Sequence, residues 1–168
     1  MVLGLVGAAV ACVARALLPV HDVATAYEPG SLPEFIDDRR PGGPQLVGAV
    51  RRLYGNVRPV VVESGDTAAV YAAALEAARA QGWRITAEEA PSRLQALAET
   101  RLLRFKDDIA VTVRPDAAGG RTRVDARSRS RVGQGDMGAN GARLAAYTGA
   151  LRAALAAKGL QAVEAAGG

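Results

Sequence analysis

The sequence predicts an α+β domain in which a four-stranded antiparallel meander plus a short first strand carries two helices on one face, in the order β-α-β-β-β-β-α. Three observations lead there. Apolar residues recur with a helical period near 67–81 and again near 140–157, and with a period of two between those stretches. The turns separating the alternating segments are short, which suits hairpins and leaves no room for crossover helices. The chain of 168 residues is 49% hydrophobic but only 4% aromatic, so one core filled by Ala, Val and Leu is expected.

The chain divides into four segments. Residues 1–20 open with an uncharged run from Met1 to Ala14 and reach the length of a spanning helix only by including Arg15. They read as a membrane or signal-like segment, with lipid attachment at Cys12 or a buried helix as alternatives. Membrane association with the domain on the periplasmic side follows, although Arg39, Arg40, Arg51 and Arg52 favour the cytoplasmic side. Residues 21–58 are rich in Pro, Gly and charge and read as a tether. Within it, Leu46, Val47, Val50, Leu53 and Tyr54 make a stripe for a short helix. The compact domain covers 59–158, and 159–168 is a flexible tail.

Within the domain, Val60–Val62 is β-branched and suits the short first strand. Ser64 and Asp66 offer capping oxygens to a helix over 67–81 that buries Val70, Tyr71, Ala74, Leu75 and Ala78. Trp83, Ile85 and Ala87 then alternate with polar residues, Pro91-Ser92 turns the chain, and a long strand runs from Arg93 to Phe105. Ile109, Val111 and Val113 mark the next strand. In the last strand Val124, Ala126, Ser128 and Ser130 share the core parity, while Arg123, Asp125, Arg127, Arg129 and Arg131 face outward. The closing helix aligns Leu144, Tyr147, Leu151 and Leu155. This order resembles the TATA-binding-protein-like arrangement, a likeness of fold that says nothing about DNA.

The net charge is +4, and of the 21 basic residues only Lys106 and Lys158 are lysines. Arg-rich surfaces can bind nucleic acid, but interleaved acids and scarce aromatics argue against it here. One cysteine and one histidine exclude an internal disulfide and a Cys/His zinc cluster, and no cofactor is expected.

The stretches Phe105-Lys-Asp-Asp-Ile109, Val124-Asp-Ala-Arg-Ser128, Ser130-Arg-Val-Gly133, Asp136-Met-Gly138 and Asn140-Gly-Ala-Arg143, with His21-Asp22 ahead of them, resemble the domain-of-unknown-function family numbered 1499. The resemblance implies an envelope-associated bacterial or plastid protein and carries no activity with it. Gly135 departs from the pattern, where a larger residue is expected.

Polar residues therefore concentrate where the last strand, its loop and the last helix meet: Asp107, Asp108, Asp125, Arg127, Ser128, Ser130, Arg131, Gly133, Asp136, Gly138, Asn140 and Arg143. They form either a ligand site or a structural network. Gly133, Gly135 and Gly138 match G-x-G-x-x-G, but a strand that ends a meander is the wrong setting for a dinucleotide fingerprint. Ser128 and Ser130 have no histidine in the domain to activate them. The expected function is a non-enzymatic, membrane-tethered envelope domain that binds an anionic small molecule, a lipid headgroup or a protein partner at this cluster. The alternatives are a hydrolase that uses Asp107, Asp108, Asp125 or Asp136 with a divalent cation and, ranked below it, a cytoplasmic nucleic-acid binder.

Overall fold

A computed structural model gives the architecture, and its described residues are 19–36, 43–44, 46–100, 104–133 and 135–164. The alternating segments fold as expected into strands: β3 (Arg84–Glu89), β4 (Arg93–Glu99), β5 (Lys106–Pro115) and β6 (Thr122–Ser130), each antiparallel to the next. Three further short strands, β1 (Asp22–Ala24), β2 (Val60–Val62) and β7 (Ala162–Glu164), complete a sheet of seven. Among the described residues the helices are α1 (Val47–Leu53), α2 (Thr67–Ala80) and α3 (Ala139–Ala157).

This corrects the expected four-stranded, TATA-binding-protein-like β-α-β-β-β-β-α arrangement. The sheet order is β3-β4-β5-β6-β2-β7, and β1 also pairs with β6. Strand β6 is long enough to share one edge between two partners: β2 lies beside Thr122–Val124, and β1 beside Arg127–Arg129. The expected strand over Arg93–Phe105 ends at Glu99, and the next begins at Lys106. Thr100 and Phe105 pair between them, Thr100 N donating to Phe105 O and Phe105 N to Thr100 Oγ1, both at 2.9 Å. Residues 162–164, expected in a flexible tail, pair antiparallel with β2.

Helices α2 and α3 pack against each other and against one sheet face. Asp66 caps α2 by accepting from Ala69 N at 2.9 Å. Along α3, Leu144, Tyr147, Leu151 and Leu155 are fully buried, and each leucine contributes about 1.5–3 kcal/mol of hydrophobic stabilisation. The Trp83 and Tyr147 rings stack at 4.8 Å between centroids, which ties the end of α2 to α3. Ile109, Val111, Leu94, Ala96 and Val124 line the sheet side of this core.

The membrane expectation is overturned as far as the described residues reach: none of their helices is long and apolar enough to cross a membrane. The apolar segment that suggested an anchor lies, through residue 18, outside the described residues. The inferred envelope tether, membrane partner and periplasmic placement lose their support with it. Val20 is buried in the core, and its carbonyl accepts from Asp136 N at 2.9 Å.

Candidate functional site

Strand alternation splits the predicted cluster in two. Ser128 and Ser130 share the core parity of β6 and meet the start of α3, whereas Asp125, Arg127 and Arg129 point to the opposite face. Opposite positions on β5 follow suit, because Asp107 pairs with Ser130 and Asp108 with Arg129 in the ladder. One contiguous pocket of carboxylates is thereby excluded for Asp107, Asp108 and Asp125.

On the helix side Asn140 is the hub. It is fully buried, its Oδ1 accepts from Ser128 Oγ and Arg143 Nη1 (both 2.6 Å), and its Nδ2 donates to Ser130 Oγ (3.0 Å) and His21 O (3.1 Å). Arg143 also donates to Ser128 Oγ at 2.9 Å and pairs with the buried Asp107 at 2.6 Å. The His21 carbonyl additionally accepts from Ser130 N at 2.8 Å. The serines are therefore links in a chain of hydrogen bonds that ends on Asn140 and Arg143.

The loop leading into α3 is organised by Asp136. Its carboxylate accepts from Gly138 N and Asn140 N, both at 2.8 Å, satisfying amides that the helix start would leave open. Gly138 occupies the cap position at φ 87°, a left-handed conformation that a β-branched residue resists, and Gly133 sits at φ 88°. These glycines shape backbone; neither is placed to cradle a dinucleotide phosphate.

On the other face, residues assigned to the tether cover the sheet. Arg127 grips Asp22 through two parallel bonds of 2.8 and 2.6 Å, with both side chains nearly inaccessible (6% and 1%). The 33–36 segment continues over the face: Pro33 O accepts from Arg127, and Ile36 N donates to Gln95 Oε1 at 2.7 Å. The Phe35 ring lies against the guanidinium groups of Arg127 and Arg129, at 5.0 and 4.7 Å from its centroid. Asp125 is fully buried and held by Arg123, Arg114 and the hydroxyl of Thr25. Nearer the loop, Arg131 clasps Asp108 at 2.7–3.0 Å.

At this cluster the guanidinium groups of Arg127, Arg131 and Arg143 are engaged by the protein's own carboxylates. The hydrolase alternative is corrected. Asp107, Asp108 and Asp125 face arginines, Asp136 faces amides, and no group of three metal-ligating side chains occurs among the described residues.

Sequence reasoning missed Thr25 and Phe35, and it named Asp22, Tyr54 and Gly141 without the contacts they make. Tyr54 follows α1 and seats its ring directly on Gly141, where a Cβ would stand 2.2 Å from a ring carbon. The glycine of the Asn140-Gly-Ala-Arg143 stretch is thus the socket for α1.

Where leader, α1 and the start of β6 meet, a cleft of about 440 Å³ opens, lined by Thr25, Tyr27, Val50, Arg51, Tyr54 and Arg123 among others. Burial, the largest influence, pushes the Tyr27 hydroxyl up to about 12, and that oxygen accepts from Ala24 N at 2.9 Å. Glu28 at the rim is held below the usual carboxylate range, first by its own backbone amide and further by Tyr27 N and Arg51.

A family model described as "Protein of unknown function (DUF1499)" matches residues 12–151. No curated protein matches the chain, and no solved structure does.

Proposed function

The chain belongs to the DUF1499 family, and we propose that the polar residues around β6 and the start of α3 form a clasp that fixes the N-terminal leader in a binding module, leaving recognition to the cleft beside it. The observation that carries this reading is Asn140. Its two amide ends join the leader backbone at His21, strand β6 at Ser128 and Ser130, and helix α3 at Arg143. Such a group fixes three elements relative to one another and has no remaining valence for a ligand. Asp22 with Arg127 repeats the arrangement on the opposite face. The leader so held forms one wall of the cleft, and a wall fixed in advance lowers the ordering cost of binding.

Hydrogen exchange on wild type and Asn140→Ala tests the clasp. In wild type the amides of Val23, Ala24 and Thr25 exchange as slowly as those of β5. In Asn140→Ala they exchange about tenfold or more faster, while α2 keeps its protection. Unchanged leader protection in a folded Asn140→Ala chain overturns the reading.

A further inference from the structure

The cleft at the leader seam has a composition that selects a ligand. Its floor is apolar, made by Val50, Tyr54 and Val57, all buried. Its lining carries the cations Arg51, Arg58 and Arg123 against a single carboxylate, Glu28. The three guanidinium groups are engaged differently. Arg123 is committed to the buried Asp125 by two bonds of 2.9 and 3.2 Å. Arg58 donates from Nε to Gly55 O at 2.8 Å, and no carboxylate among the described residues pairs with it. Arg51 pairs with Glu28 at the rim, both side chains half exposed, so water and salt screen the pair and an incoming oxyanion can replace its partner. The Tyr27 hydroxyl, which accepts from Ala24 N, keeps its own proton to donate.

We propose that this cleft binds a small organic anion, with a carboxylate or phosphate held by Arg51 and Arg58 and an apolar body resting on Val50, Tyr54 and Val57. Glu28 is the resident substitute for the ligand's oxyanion: it occupies Arg51 in the empty cleft and yields it on binding. The volume of about 440 Å³ lies within the range of small-molecule sites and accommodates a ring bearing one anionic group. The site is distinct from the clasp and depends on it only for the position of the leader wall.

Titration calorimetry on the full chain with phenyl phosphate and with benzoate tests this, with benzyl alcohol as the uncharged counterpart. At least one anion binds saturably, and benzyl alcohol binds about tenfold or more weakly. The stronger of the two identifies the oxyanion. Arg51→Ala and Arg58→Ala each weaken binding about tenfold, with melting unchanged because both side chains are exposed. Glu28→Gln tightens it, and Arg152→Ala, outside the cleft's lining, has no effect. Absence of saturable binding by both anions, or binding indifferent to Arg51 and Arg58, overturns the proposal. Fast leader exchange in Asn140→Ala with no anion binding by wild type leaves the clasp standing and removes the cleft. Anion binding with unchanged exchange in Asn140→Ala does the reverse.

Discussion

The two ends of strand β6 put the same residue types to opposite uses. Toward Ser130, arginines and acids are buried and consumed by one another: Arg127 by Asp22, Arg143 by Asp107. Toward Thr122, Arg123 is likewise held by the buried Asp125, but it borders an open cleft whose other cations, Arg51 and Arg58, have no buried carboxylate among the described residues and sit at a wet rim. Arginine count alone therefore does not mark a recognition site; what distinguishes the ends is whether each guanidinium already has a desolvated partner.

The largest expected effect comes from unbalancing the buried end. Asp22→Ala strands Arg127 out of water and costs about 3–5 kcal/mol, seen in chemical denaturation, with a fall of roughly 10 °C in Tm. The paired replacement Asp22→Leu with Arg127→Met regains most of that loss, because both charges leave together. A double variant no better than the single one would show that the pair itself, rather than the stranded charge, supplies the stability.

A smaller effect is expected at the joint between the ends. Gly141→Ala drives a methyl into the Tyr54 ring and costs about 1–3 kcal/mol by overpacking. Combining it with Tyr54→Ala yields less than the sum of the two single losses. Simple additivity in unfolding free energies would place Tyr54 elsewhere.

The smallest effect belongs to the cleft and is read through pH. The Tyr27 pKa is raised from 10.0 to about 12 in the folded chain. Its contribution to stability is therefore intact below pH 10 and is lost as pH rises through about 12, where the unfolded chain has released a proton that the folded one retains. Tyr27→Phe flattens the alkaline fall in unfolding free energy; an identical slope in wild type and variant would contradict the assignment.

Much of this was legible in the sequence, and the reasons for the rest are physical. Elements with several periods of alternation, such as Ile109-Ala-Val-Thr-Val113 or the Leu144 to Leu155 stripe, declare themselves. Strands β1 and β7 have three residues each, too few for a period to register. The outward parity of Arg127 and Arg129 was correct, yet their exposure was not, because Phe35 and Pro33 return from the leader to cover them. The clasp residues were found as a set through their crowding around one loop. That alternation divides them between two faces was implicit in the adjacency of Asp107 and Asp108. The contacts of Asp22 and Gly141 escaped because their partners, Arg127 and Tyr54, are distant in sequence.

The shared edge of β6 also sets an order in time. Asp22 and Arg127 are 105 residues apart. At about 5–20 residues per second, the leader leaves the ribosome roughly 5–20 s before its strand partner is made. During that interval Val23 and the acid beside it have neither ladder nor counter-ion. The clasp therefore closes only after α2 and the β3-β4-β5 hairpins have been made, and β7 joins the sheet later still.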